Sequence, residues 1–359
     1  MVAAGAKPSH AKSLADVLVE GDCRGHYSHG LNRMDMYVKD IQTGICSKDG
    51  EPVIEKESVA TALVNGENVL GPVVGNFCMD LAIKKAKDVG IGWVVAKGSN
   101  HYGIAGYYAM QALKQDMIGM SYTNTSPLVV PTRARDCTLG TNPISVAAPA
   151  NDADSFVLDM ATSAVALGKV ELHHRSGDTI PEGWGCDSHG KPSTDPGKVL
   201  SGGGLLPIGG CEATGGYKGY GLGMMVEVFC GILAGSQYSK HIRTWKVTDR
   251  VANLVELHHR SGDTIPEGWG CDSHGKPSTD PGKVLSGGGL LPIGGCEATG
   301  GYKGYGLGMM VEVFCGILAG SQYSKHIRTW KVTDRVANLN KVAKTLGVTP
   351  ELPVDRPLA

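Results

Sequence analysis

Neither sign of charge dominates this chain: 34 basic and 35 acidic residues mix along it and leave a formal net charge of −1. It has no basic block to attract nucleic acid, and no acidic tail of the solvating, disordered kind. Long apolar runs are lacking as well. The most apolar stretch, 221–234, is too short to span a bilayer and carries Glu227. The opening residues, MVAAGAKPSHAKSLADV, contain no apolar core of signal-peptide length. These absences predict a cytoplasmic protein with no nucleic-acid or membrane partner. A small molecule or another copy of the chain remains as the expected partner.

Paired cysteines are absent too. Of the ten, Cys23, Cys46, Cys78 and Cys137 are scattered, no CxxC occurs, and the other six are three cysteines counted twice. That distribution predicts free buried thiols in a reducing compartment. His173–His174 and His258–His259 invite a metal reading. Read as strand residues, neighbours point to opposite faces, and no carboxylate or cysteine stands at ligand spacing, so no metal site is expected. A GxGxxG dinucleotide fingerprint with an acidic residue about 20 positions on is also missing.

What the chain does have is a perfect repeat. Residues 170–254 and 255–339 are identical at all 85 positions. Solenoid repeats are shorter and drift in sequence, so an undrifted copy points to a very recent duplication or an error in the gene model. Continuity from Lys169 favours the first copy as the one that fills the native slot, with the second misfitted or competing for that slot. The resulting organisation is 1–169, an N-terminal helical and α/β catalytic region; 170–254, a Gly-rich segment and buried helix; 255–339, its duplicate; and 340–359, a closing helix and tail.

Helical spacing of Leu14, Val17 and Leu18 predicts a helix over 9–21, and a second runs from about Ser28 to Gln42. A third spans 74–88, stopped by Gly90 and Gly92. Residues 91–99 read as a buried strand, 103–116 as a helix, and 117–125, 142–150 and 155–161 as strands. The last strong helix, 219–234, is apolar nearly all round and so expected to be buried. Strands alternating with helices argue for an α/β fold with parallel strand pairs and helices on the sheet faces.

Four segments carry candidate chemistry. In YSHGLNRM, Ser28 is placed as an N-cap, with His29 and Arg33 one turn apart on one face. An imidazole can take a hydroxyl proton as hydride leaves, and a guanidinium can fork a carboxylate. A capped surface helix with incidental polar residues explains the spacing equally well. GSNHYGIAGYY (98–108) joins a strand end to a helix start, where α/β sheets place ligands and a helix N-terminus favours an anion; His101 lies in that turn. Thr141 and Asn142 precede a strand and Asp159 ends one. In GGYKGYGLG (215–223), Lys218 at a helix start hints at a nearby anion, although a solvated lysine is as good a reading.

Taken together and in order, RGHYSHGLNRMDMYV, SNHYGIAGYYA, GTNPISVAAP, VLDMATS, GWGCDSHGKPSTDP, LLPIGG and GGYKGYGLGMMVE resemble the type-2 malate/L-lactate dehydrogenase family, the L-sulfolactate dehydrogenase-like oxidoreductases. The resemblance runs from about Ala11 to Leu254. It implies a non-Rossmann α/β fold with a mixed sheet, a homodimer, NAD or NADP as cofactor, and a small 2-hydroxy or 2-keto acid as substrate. By motif match it implies Ser28 and His29 as relay and proton donor or acceptor, with His101 as the alternative acid/base, and Arg33 as the carboxylate clamp. Thr141 with Asn142 would bind substrate. His101, Tyr102, Gly103, Ile104 and Ala105 would lie against the cofactor, together with Asp159, Met160, Ala161, Tyr217 and Lys218. The family continues beyond a DRVANL-like segment into a region that ends in a Pro-Gly-containing cofactor loop. Here the second copy stands in its place, which leaves a catalytically inactive product as the alternative function.

Overall fold

The structure, a computed structural model, describes residues 1–150, 154–242, 270–271, 273–278 and 289–317. It forms two compact units, Met1–Gly308 and Met309–Ala359. Of the second unit only 309–317 are described. They carry the end of a helix that begins at Gly301 and a wider helical turn, Glu312–Ile317.

Helix α1, Pro8–Cys23, starts with proline at its first position, where a missing N–H costs nothing. It buries Leu14, Val17 and Leu18 as the spacing predicts. Leu14 and Leu18 pack with Tyr37, Ile41, Cys46 and Leu70, each leucine contributing about 1.5–3 kcal/mol of burial. Tyr37 and Ile41 come from α2, Met34–Thr43. The predicted helix from Ser28 does not form as one piece. Two short 3₁₀ turns, Tyr27–His29 and Leu31–Arg33, precede α2 instead. Gly30 breaks them because the Asp22 carboxylate presses in at that point: its Oδ2 accepts the Leu31 N–H at 3.0 Å. A Cβ on Gly30 would stand 1.7 Å from Asp22 Oδ1. Ser28 therefore caps no helix.

Strands β1, Val53–Glu57, and β2, Thr61–Asn65, pair antiparallel with an irregularity between Ile54 and Lys56. Helix α3, Gly71–Val89, ends at Gly90 in the left-handed conformation (φ 86°) and leads to β3, Trp93–Lys97, which runs parallel to β2. This is the parallel pair that alternating strands and helices predict. The next sheet differs: β4 (Gly119–Tyr122), β5 (Ile144–Pro149) and β6 (Ser155–Met160) are antiparallel throughout. With α4, Ala105–Leu113, packed against β4 and β5, the fold is α/β, its two larger sheets one mixed and one antiparallel.

Helix α5, Leu167–Ser176, carries His173 and His174, so the strand reading of that pair is wrong. Gly177, at φ 77°, supplies the left-handed stop that lets the helix end there. A small sheet of β7 (Gly185–Cys186), β8 (Pro192–Ser193) and β9 (Gly204–Leu205) follows. It surrounds α6, Pro196–Leu200, whose Asp195 caps the Gly197 N–H at 2.8 Å. The DSHGK stretch at 187–191 forms the turn between β7 and β8, as expected of a loop tip. Helix α7, Gly216–Val226, continues into a wide turn, Glu227–Ile232. It is not buried all round. Gly219 and Gly223 face the fold, while Met224 and Val228 are exposed on the other side.

The second copy refolds the same local structure: β10 (Gly270–Cys271), β11 (Pro277–Ser278) and β12 (Gly289–Leu290) repeat the order and register of the first small sheet. Helix α8, Gly301–Val311, repeats α7. Cys46 and Cys186 are buried free thiols as expected, but Cys23, also free, is exposed. No described helix is long and apolar enough to cross a membrane.

Candidate active site

Three segments distant in sequence converge beside the N-terminus of α4. The Ser28 hydroxyl lies 2.8 Å from His29 Nδ1, and Arg33 Nε donates to the Ser28 carbonyl at 2.6 Å. The His29 ring stacks on His101, with centroids 5.6 Å apart and planes inclined by 21°. Gly168, just inside α5, faces Ser28: a Cβ there would lie 3.9 Å from Ser28 Cβ.

Both imidazoles are held neutral. Burial first, then the charges of Arg33 and His26, draw His29 down to about 4. His101 falls to about 3, again from burial first and then from His29 and Arg33. His101 Nδ1 accepts from the Gly103 N–H at 3.3 Å and meets the Tyr37 hydroxyl at 2.5 Å. A backbone amide can only donate, so it assigns the neutral tautomer with the proton on Nε2. Tyr37 is buried against its neighbours, and burial raises its phenol so that it stays protonated and donates. Tyr37 falls within the helix expected from Ser28 to Gln42 with no role assigned to it; its position one turn after Arg33 was the available signal.

Arg33 is half-buried and pairs with no carboxylate among the described residues. Its Nε anchor orients the guanidinium plane.

Asp159, at the end of β6, does not leave the α4 N-terminus open for an anion. Its Oδ2 accepts the Gly106 N–H at 2.8 Å, and Gly106 has no room for a Cβ, which would stand 2.6 Å from that oxygen. Burial raises the Asp159 carboxyl despite this bond and the nearby charges of His26 and Arg24. Arg24, His26, Gly106, Met110, Val157 and Asp159 line a cavity of about 170 Å³. Arg24 and His26 were missed in the sequence, although they lie just before the SHG triplet. Typical ligand pockets run about 300–1,000 Å³, so this cavity is smaller than an ordinary ligand pocket. Arg24, His26 and Asp159 supply donors and an acceptor there.

The other expected site residues divide. Gly103, Ile104, Ala105 and Met160 are buried, and Tyr102 stacks on Tyr108 with its hydroxyl 3.0 Å from Ser121 Oγ. The Thr141 carbonyl accepts the Thr162 N–H at 2.8 Å, which ties it to the strand end beyond Ala161. Asn142 is fully buried. Its Oδ1 accepts from Thr125 N at 3.0 Å, and its Nδ2 donates to the Gly223 carbonyl at 3.1 Å and to Glu227 Oε1 at 2.8 Å. That amide is consumed in joining β5 to α7. Tyr217 and Lys218 are exposed, with the Lys218 amine 6.0 Å above the Tyr217 ring centroid.

Known proteins resemble this chain. The malate/L-lactate dehydrogenase family matches residues 1–254 and again 251–348. The chain belongs to that family. It is 49% identical over 240 residues to a malate dehydrogenase of Pyrococcus horikoshii, covering 67% of this chain and 66% of that protein. It is 35% identical over 256 residues to an NAD(+) ureidoglycolate dehydrogenase of Escherichia coli strain K12, covering 71% of each. Among solved structures, sulfolactate dehydrogenase from Methanocaldococcus jannaschii superposes with a TM-score of 0.62 at 42% identity, covering 67% of each chain. The chain thus spans just under two thirds of the length of the Pyrococcus horikoshii relative.

Proposed function

We propose that this chain is an oxidoreductase that moves a hydride between a nicotinamide cofactor, NAD or NADP, and a small 2-hydroxy or 2-keto acid of the malate/lactate type. The observation that carries this reading is the stacked pair of neutral histidines beside an arginine that lacks a carboxylate partner. The names of the similar proteins support it, each a dehydrogenase of a hydroxy acid.

Arg33 grips the substrate carboxylate, its plane set by the bond to the Ser28 carbonyl. A neutral imidazole takes the hydroxyl proton as the substrate carbon is oxidised. His101 already carries its proton on Nε2, and its Nδ1 is covered by Gly103 and Tyr37. His29 Nδ1 faces the Ser28 hydroxyl, which serves as donor or acceptor, so His29 can change tautomer and gain a proton. His29 is therefore the acid/base, and His101 is the neutral partner stacked on it.

The carboxylate bound at Arg33 offsets the charge that depresses His29 and makes its imidazolium less costly. The cofactor, when bound, accepts or returns the hydride. Asp159 and Gly106, with Arg24 and His26, would hold part of it next to the His101–Ala105 turn. Thr141 is tied to Thr162 at the strand end beyond Ala161, and Asn142 acts by holding Thr125 and the β5 start in place. The chain acts as a homodimer, which light scattering checks.

Turnover by the purified chain is the test, read as loss of reduced-nicotinamide absorbance with NADH or NADPH and pyruvate, oxaloacetate or 2-ketoglutarate. No turnover of any pair overturns the reading.

A further inference from the structure

The same helix sits in two different ways in this chain. Residues 215–223 and 300–308 are identical, yet α7 and α8 bury different faces. In α7 the packed positions include Gly219 and Gly223: a Cβ on Gly223 would stand 3.4 Å from Leu139 Cδ1 and 3.5 Å from Thr162 Oγ1. Its Lys218 and Gly221 are exposed. A Cβ on Gly215 or Gly221 would meet no described residue within 4 Å beyond its own turn.

In α8 the pattern is reversed. Lys303 and Leu307 are buried, whereas Gly308, the twin of Gly223, has open space beside it among the described residues. A Cβ on Gly306 would stand 2.6 Å from Leu158 Cδ1, and one on Gly300 would stand 3.4 Å from the Ala164 carbonyl oxygen. The Lys303 amine donates to the Ser163 carbonyl at 2.7 Å and to the Ala161 carbonyl at 3.4 Å. The Trp184 indole donates to the Ala298 carbonyl at 3.1 Å. Positions i, i+3 and i+4 of a helix share a face, so Lys303, Gly306 and Leu307 form one docking surface.

That surface meets the strand end 158–164 on an edge that the first copy does not use. Ser163 stands opposite Pro207, with the Ile208 N–H donating to the Thr162 carbonyl and the Ala164 N–H to the Leu206 carbonyl. In such an antiparallel pair the polar groups of Ser163 itself point to the far edge. A carbonyl on that edge needs a donor from elsewhere, and Lys303 supplies it. One strand end thus holds both copies at once, one on each edge.

Because the copies are identical, any surface that accepts α8 offers the same contacts to α7. The first copy is fixed by Asn142 and Thr162 with its Lys218 face outward. That face can meet a strand end of this kind only on another molecule. We infer that the strand end 158–164 is a docking site for α7 of a second copy of this chain, entered through Lys218, Gly221 and Leu222, and that α8 keeps the site filled from within. Exchange of an identical element between chains is a low-cost route to association, and the tethered copy has the advantage of effective concentration. This docking does not depend on the chemistry proposed above.

Sedimentation of the full chain tests it, with the mass of the unaltered protein, one chain or two, as the baseline. Lys303→Met with Gly306→Leu closes the α8 face and leaves α7 untouched. The freed strand end then takes α7 of a second chain, and the average mass rises with concentration to at least twice the baseline. Adding Lys218→Met and Gly221→Leu returns the mass to the baseline. No rise in the first variant, or a rise that survives the α7 substitutions, overturns the docking. If the first variant fails to fold, Lys303→Met alone takes its place and is read in the same way. A baseline of one chain removes the homodimer proposed above, and absence of turnover removes the proposed chemistry; neither alters the reading of these variants.

Discussion

Ring stacking between His29 and His101, with centroids 5.6 Å apart, joins the turn before α2 to the turn before α4. Each imidazole is neutral because burial excludes water and Arg33 stands close by. The two rings differ in what they can do. His101 is held by Tyr37 and Gly103 in one tautomer, whereas His29 faces a hydroxyl that allows either.

Arg33→Ala removes the only group placed to fork a carboxylate at this point. The variant is expected to lose roughly 2–5 kcal/mol of transition-state stabilisation, by analogy with truncated charge pairs. Steady-state kcat/KM with oxaloacetate measures it. A loss of less than tenfold, about 1.4 kcal/mol, would remove Arg33 from the clamp role.

Tyr37→Phe removes the hydroxyl that meets His101 Nδ1 and keeps the long bond from Gly103. The loss of a buried donor costs about 1–3 kcal/mol of stability. kcat falls with little change in substrate KM, because Tyr37 acts through His101 and does not touch the carboxylate. A KM effect without a kcat effect contradicts this placement.

Acid weakens the fold through the same histidines. Their folded values, about 4 and about 3, lie below the unfolded value near 6.5. The unfolded chain therefore binds more protons below that value, and stability is lost as pH falls from about 6.5 towards 4. Thermal unfolding of the full chain across this window shows a falling Tm. His29→Gln flattens the slope, and a slope unchanged in that variant contradicts the assignment.

Glu227 is buried and accepts from Asn142 Nδ2, Asn124 Nδ2 and the Ser239 N–H at 2.8, 3.1 and 3.0 Å. Glu227→Ala removes an acceptor from all three, although the two amides keep the Gly223 and Gln237 carbonyls, and costs about 2–4 kcal/mol. Glu227→Gln keeps two acceptor sites and costs less. Urea unfolding compares them, and an alanine variant as stable as the glutamine one would contradict this account.

Much of the fold was legible. The periodicity of Leu14, Val17 and Leu18 marked the buried face of α1, and the left-handed Gly90 marked the end of α3, because both signals are local. The helix expected from Ser28 was misread, since the carboxylate that breaks it at Gly30 belongs to Asp22 on another element. His173 and His174 were misread as strand, because a short polar segment carries no period strong enough to choose. Of the site, Ser28, His29, Arg33 and His101 were singled out by residue type. The parts played by Tyr37, Arg24 and His26 were not, as nothing in their spacing ties them to residues 101–106 or to Asp159.

The chain's own sequence determined the family, the α/β class and the local form of each copy. The two small sheets repeat the same register because identical residues have identical turn and pairing preferences. It could not decide which copy carries the buried lysine. Lys218 and Lys303 have the same neighbours in sequence, so every local energy is equal. Only the connection of each copy to the rest of the fold separates them. The first pairs along Thr162, Ser163 and Ala164 and is held by Asn142, while Lys303 of the second meets the Ala161 and Ser163 carbonyls.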